Sequence, residues 1–496
     1  MTQPNEPTNH PLIRFVNRQQ MSWRAVDVDR LIGEDHRARA IWDLVGSLDL
    51  TRFYEEIASS TEAGGRPAFD PQLLISLWVY AYSEGIGSAR EVARRCEFDP
   101  AFQWLTGLEE VNYHTLADFR VARQKELDEL FTQVLAALSK EGWIRLEQVM
   151  QDGTKIRALA GVQSFQREGT IREHLERARQ RVREMGDPGN EEMSPKMKRA
   201  RERAHRQRQQ RLEKALEELT ALQRQKPPAP AKDPGKVSVS DPEARVMKQS
   251  DGGLAPSYNV QISADAARGI IVDVEVTQEA NDSAQLLPAV ERLEQRLRAK
   301  PQQVIADGGY TTHAAIQQMA ERGIGFLGNL GRELRGSGVT APHQLPPGDF
   351  RYQPETNRFL CPEGKPLRPQ GRRNKGPGVV YYRYEAKAED CLVCPRKPEC
   401  CPGNQRRGRS VMRVEESATV TAFREKMASS AAQQQYRRRA QVVEFCHAWI
   451  KCKLGLRQFH VRGKTKVRAE ALWASLTYNL QQWIRLRRAS VQPAAT

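Results

Sequence analysis

The chain has 496 residues, 39% of them hydrophobic and 28% charged, with a formal net charge of +16. Its longest apolar run, Leu73 to Tyr82, is too short to cross a bilayer and reads as a buried helix, which excludes a membrane-spanning chain. The length allows two to four domains, and the basic balance suits a polyanionic partner, either nucleic acid or an acidic membrane face, over the plainer reading of a merely soluble basic protein.

The opening residues MTQPNEPTNHPLIRF lack an apolar core, so no export signal is expected and the cytoplasm is the expected compartment. Residues 25–140 read as helices. Pro71 stands near one helix start, Gly85 and Gly87 make a break, and Ser88 is a candidate N-cap for the next helix. Thr115 is a candidate cap for a long amphipathic helix carrying Leu116, Phe119, Leu130, Phe131 and Val134. Two helices joined by a tight Gly-bearing turn fit helix-turn-helix geometry or a plain helical bundle.

After Gly142 the pattern changes. WIRLEQVMQDGTKIRALA predicts a strand bearing Asp152 with a glycine directly after it. Residues 165–226 are dense in Arg, Lys, Glu and Gln, with few large apolar residues, which predicts a solvated helical hairpin or arm. KPPAPAKDPGK then reads as a linker. SYNVQISAD and IIVDVEVTQ predict two strands, residues 283–298 an amphipathic helix, and QQVIADGG a strand that stops at Asp307. A further helix and the strand GIGFLGNL follow, so a hairpin meander passes into an α/β crossover. Residues 331–412 are rich in Gly, Pro, Arg and Cys and interrupt this domain; a helical tail runs from about 416 to 488.

If the first strand lies beside the fourth, Asp152 and Asp307 sit together at one edge of the sheet. A third acid on a later helix would complete an oxygen cage for hard divalent cations such as Mg²⁺, two of which can drive phosphoryl transfer. Gly153, Gly308 and Gly309 would let a DNA backbone approach the carboxylates. In the tail, Glu444 and Lys451 are seven residues apart, close to two helical turns, and Arg437 falls one heptad earlier on the same face. A carboxylate flanked by cations suits a metal site whose neighbours grip phosphates; an exposed helix with solvated charges is the plainer alternative.

Asp152-Gly-Thr-Lys, Asp307-Gly-Gly-Tyr and Glu444-x6-Lys451, in this order, resemble the motifs of the DDE transposases of bacterial insertion sequences. GRPAFDPQLLISLWVYA, SAREVARRC and NYHTLADFR extend the resemblance into the N-terminal half. In many such transposases a Tyr lies seven residues, and an Arg four, before the Glu. Here Tyr436 lies eight before Glu444 and Ala440 four before, so Arg437 or Arg439 would stand in.

The resemblance implies a ribonuclease-H-like mixed sheet flanked by helices, with an all-α N-terminal domain and two insertions. Residues 1–140 would be the DNA-binding domain and 141–490 the catalytic domain, interrupted by 162–240 and 331–412. Asp152, Asp307 and Glu444 would be the catalytic acids and the ligands of Mg²⁺ or Mn²⁺, with Lys451, Arg437 and Arg439 on DNA. Cleavage at the ends of the element and strand transfer into target DNA would follow, with double-stranded terminal repeats and target as partners and a homo-oligomer on the nucleoid. The rival readings are an inactive transposase-derived DNA-binding regulator and another ribonuclease-H-like nuclease.

Five of the eight cysteines lie between Cys361 and Cys401. Cys391 and Cys394 have the spacing that lets one turn present two thiolates to a tetrahedral Zn²⁺, and Cys361 and Cys400 are the completing ligands, with Cys401 as a spare. Reduced, partly exposed thiols are the alternative. Arg368, Arg372, Arg373, Lys375 and Arg383, interleaved with Tyr381, Tyr382 and Tyr384, favour DNA contact or form an ordinary hairpin surface. Cys446 and Cys452 are expected to pack along the tail helix, and His114 and His447 to be capping or core residues.

Overall fold

The computed structural model describes residues 19, 21, 25–55, 57, 67–184, 194–225, 235–330, 345–374, 380–402 and 407–491. The opening segment, most of the proline-rich linker and Lys375 lie outside them.

Seven helices come first: α1 (Arg37–Gly46), α2 (Thr51–Glu55), α3 (Pro71–Ser83), α4 (Ala89–Phe98), α5 (Pro100–Thr106), α6 (Tyr113–Ala122) and α7 (Gln124–Lys140). Asp70 caps α3 by accepting from the Gln72 amide, and Pro71 fills the first helical position, where its missing N–H costs nothing. Helix α3 is buried from Leu74 to Ser83, as its unbroken apolar run requires. Ser88 precedes α4 without a side-chain cap bond. The single long helix expected after Thr115 is instead two: Asn112 caps α6 and places Thr115 inside it, and the chain breaks at Arg123 before α7.

The sheet begins with β1 (Gln148–Arg157), β2 (Phe165–Gln166) and, after the arm, β3 (Val237–Ser238), β4 (Arg245–Lys248), β5 (Leu254–Asp265) and β6 (Ile270–Thr277). Then come α10 (Leu286–Leu297), β7 (Gln303–Ala306), α11 (His313–Glu321) and β8 (Gly325–Gly328). The central order is β6-β5-β1-β7-β8, with β4 pairing along the other half of the outer edge of β5. β5 and β6 run antiparallel to their neighbours, whereas β1, β7 and β8 are parallel. That is the ribonuclease-H-like order expected from the motifs.

The arm is α8 (Glu168–Glu184) packed on α9 (Pro195–Gln225). It is less polar at its base than its composition suggests. Ile171, Leu175, Leu212, Leu219 and Val237 form a small core of their own there, and β2 pairs with β3 to close the hairpin. The second insertion is a separate five-stranded antiparallel sheet of β9 (Arg351–Gln353), β10 (Arg358–Leu360), β11 (Pro366–Asn374), β12 (Val380–Ala386) and β13 (Ser410–Glu415). Between β12 and β13 lie α12 (Ala388–Leu392) and α13 (Lys397–Cys400).

The tail is α14 (Ala418–Ala428), α15 (Ser430–Arg437), α16 (Arg439–Cys452) and α17 (Lys464–Val491). Helix α17 joins the two halves of the molecule. Asn479 exchanges two hydrogen bonds with the backbone of Ile271 on β6 (3.0 and 2.8 Å), beside the irregularity where β5 and β6 shift register. Trp473 donates to the Arg120 carbonyl (3.0 Å) and Trp483 to Glu141 (2.8 Å). One continuous core therefore runs from α1 through the sheet to α17. Across its centre the buried Arg120 guanidinium faces the fully buried Glu470 carboxylate at 3.5 Å and lies over the Trp78 ring.

Candidate active site

Parallel register fixes the two aspartates. Gln151 on β1 pairs with Ala306, the last residue of β7, so Asp152, within β1, stands beside Asp307 where the chain leaves β7. Asp307 sits just past the last residue of β7, in a turn of its own making. Its Oδ1 accepts from the Gly309 amide (2.7 Å), and its carbonyl accepts from the Thr311 hydroxyl (3.0 Å).

Glu444 projects from α16 on an exposed side, and Arg439, in the first turn of the same helix, ties it to the strands. One guanidinium nitrogen lies 3.2 Å from Asp152 Oδ2 and the other 3.0 Å from Glu444 Oε1. The arginine side chain is only 11% exposed and lies between the two acids. Arg437 is exposed, but α15 ends there and α16 starts at Arg439. The expected unbroken stripe from Arg437 through Glu444 to Lys451 is therefore interrupted. Tyr436 packs its ring 5.8 Å from the Arg439 guanidinium.

Burial pushes the Asp152 carboxyl up to about 6, the Asp307 and Glu444 charges push the same way, and Arg439 and the Gly153 amide oppose them. His447, fully enclosed under α16 with Nε2 3.9 Å from Asp152, is held neutral, its pKa pulled down to about 3 chiefly by burial. Burial also lowers the half-buried Lys451, with Lys155 among the cations adding to the effect.

The opposite face of the sheet explains the glycine after Asp152. Side chains alternate along β1, so Gly153 faces away from the site. A β-carbon there would meet Asp282 Oδ1 and Gln261 Nε2 at 2.5 Å and Asn259 Oδ1 at 2.9 Å. Asn259 and Gln261 both donate to Asp282 Oδ1 (2.6 and 2.7 Å), and Lys155 lies 3.7 Å from it. Tyr310 donates to Gln261 (2.5 Å), Gln151 donates to Gln261 (2.9 Å), and Ser263 donates to Gln151 (2.5 Å). Gly153 therefore makes room for this polar network and not for a DNA backbone. At Gly309 a β-carbon would come within 2.9 Å of Asp307 Oδ1, so that glycine serves the turn. Asp282, Asn259 and Gln261 are not apparent from any motif, although polar residues at every second position of SYNVQISAD are a visible sign of a polar sheet face.

Two hard-oxygen ligands side by side, one of them protonated more readily than usual because its burial outweighs the nearby arginine, suit a divalent metal ion. Glu444 is joined to them through Arg439. Among the described residues no three His, Cys, Asp or Glu side chains converge on one point as a metal cage.

In the other cysteine-bearing regions, Cys446 is buried and bonds Tyr478 and the Gly269 carbonyl, whereas Cys452 is exposed and does not pack as expected. His114 is exposed, its amide donating to the capping Asn112. Cys361, Cys391, Cys394, Cys400 and Cys401 all line one small cavity.

A ribonuclease-H-like sheet with aspartates on adjacent parallel strands and a glutamate on a covering helix is the arrangement of nucleic-acid-cutting phosphoryl transferases. Residues 26–122 match the family described as transposase domain (DUF772), and residues 360–484 match the transposase DDE domain. Both matches are to transposase domains, and their order along the chain is consistent with a DDE transposase. The second match includes Glu444 and Lys451, while Asp152 and Asp307 precede it. A piggyBac transposase, solved as a synaptic complex with hairpin DNA, aligns over 95% of this chain and 85% of its own at 8% identity. Its TM-score is 0.21, too low to carry structural comparison. No curated protein matches.

Proposed function

We propose that this transposase cuts DNA at the ends of an insertion sequence and transfers the freed strand into target DNA, using Asp152, Asp307 and Glu444 with Mg²⁺ or Mn²⁺. The observation that carries the reading is the emergence of Asp152 and Asp307 side by side from adjacent parallel strands, with Glu444 linked to Asp152 through Arg439. Divalent ions, when bound, polarise the scissile phosphate and lower the pKa of the attacking water or hydroxyl.

The chain's own residues do the rest. Arg439 keeps two carboxylates together against their mutual repulsion. Lys451 places a cation near Asp152, where a phosphate of the substrate would lie. The neutral His447 closes the floor below Asp152 without adding a charge that would compete with a cation. Double-stranded DNA is the partner this site serves, with a homo-oligomer bringing two ends together.

Asp152→Ala, Asp307→Ala and Glu444→Ala should each abolish strand cleavage while DNA binding stays within a few-fold of wild type, because affinity comes mainly from phosphate contacts. Near-normal cleavage by Glu444→Ala would move the third acid to another tail residue, such as the exposed Glu425. Near-normal cleavage by either aspartate variant would refute the reading.

A further inference from the structure

The sheet of β9 to β13 rests on a small core. Phe350, Phe359, Leu367, Tyr384, Ala386, Cys400 and Val411 are its buried apolar residues. So small a core gives little stability to a segment of this size, and natural folds of this kind are commonly held by a disulfide or a metal ion. Every cysteine of the described segment is a free thiol.

Three turns bring these thiols to one place. Cys361 follows β10 in a tight turn. The Gly364 amide donates to its carbonyl (2.8 Å), Gly364 takes φ +73°, and the Lys365 amide donates to the Cys361 sulfur (3.3 Å). Cys391 lies in α12, and the Arg409 amide donates to its sulfur (3.4 Å). Cys394 follows α12, and Cys400 and Cys401 end α13. Backbone N–H groups aimed at sulfur stabilise a thiolate over a thiol, and a thiolate is the form that binds metal. The cavity that all five cysteines line has a volume of about 30 Å³, which is room for a single ion and not for an organic ligand.

We propose that Cys361, Cys391, Cys394 and Cys401 hold one structural Zn²⁺ that staples the inserted sheet. Tetrahedral sulfur coordination at about 2.3 Å suits four thiolates presented by short turns. The thiols have not closed on a common point, so the ion draws them together by side-chain rotation within the cavity. The fourth ligand is Cys401 and not its neighbour. Cys400 packs as a member of the apolar cluster. The Cys401 thiol instead lies within hydrogen-bond reach of Cys391.

The test is metal content of the full chain, purified reduced and without chelators. Wild type should carry about one Zn²⁺ per chain. Cys394→Ala and Cys401→Ala should each lose most of it, while Cys400→Ala keeps it. A separate measurement on wild type avoids any dependence on variant folding: after chelation, added Co²⁺ should give the intense visible bands of a tetrahedral thiolate site. Absent zinc together with absent cobalt bands would overturn the site. Zinc retained by Cys401→Ala and lost by Cys400→Ala would overturn the ligand assignment.

Discussion

Replacing Gly153 with alanine separates two explanations for the glycine that follows Asp152. The new methyl would meet Asp282 Oδ1 and Gln261 Nε2 at 2.5 Å and Asn259 Oδ1 at 2.9 Å. Ordinary contact begins near 3.4 Å, so these atoms must retreat by about 0.5–0.9 Å. They cannot do so independently, because Asn259 and Gln261 are both bonded to the same oxygen of Asp282. Overpacking of this kind costs about 1–3 kcal/mol, and losing one buried hydrogen bond adds about 1–3 kcal/mol. A destabilisation on the order of 2–6 kcal/mol is therefore expected in urea unfolding, with cleavage falling because Asp152 is the adjoining residue. Combining Gly153→Ala with Asp282→Ala makes room for the methyl, so the double variant should be less destabilised than the sum of the singles, by about 0.5–3 kcal/mol. An alanine variant with wild-type stability but weakened DNA binding would refute this reasoning and restore a role for Gly153 in DNA approach.

Arg120→Ala should destabilise the protein by about 3–5 kcal/mol in the same assay, because it removes the buried cation facing Glu470 and leaves that carboxylate to the ring and backbone amide of His460 alone. Relative to Asp152→Asn, metal-free wild type should lose stability as pH rises from about 4 through 6. The folded Asp152 holds its proton more tightly than the unfolded one, so the stabilisation is complete at low pH and gone above the folded value of about 6. Asp152→Asn should flatten that pH dependence in thermal melts. Exchanging the exposed Arg199, Arg203, Arg206 and Arg208 of α9 for glutamine should weaken binding to all DNA sequences alike. It should also reduce the slope of log affinity against log salt by up to about 0.9 for each phosphate no longer neutralised, leaving the preference for terminal repeats unchanged.

Much of the fold was legible in the sequence because its signals are local. The alternation in IIVDVEVT, the unbroken apolar run of α3 and the Pro71 start each name an element without reference to partners. The two aspartates were legible because register carries them together once β1 lies beside β7. Features that depend on distant contacts were not legible. The break at Arg123 interrupts a segment whose apolar periodicity continues across it. Arg439 looked like one of several equivalent arginines, and only the packing of α16 on β1 selects it to bridge Asp152 and Glu444. Asp282 lies in a polar loop far from any motif, and its role appears only when β5 sets Asn259 and Gln261 beneath β1.

The position of α17 has a consequence for how the protein is made. The N-terminal helices bury their apolar faces against Trp473 and its neighbours, which the ribosome makes long after them. At about 5–20 residues per second the wait is roughly 20–70 s, during which those faces have no native cover and are open to chaperones and proteases. A message cut short before Lys464 would yield both strand aspartates and Glu444 in a chain that cannot close its core. Copies lacking α17 would therefore be cleared by quality control and would not accumulate.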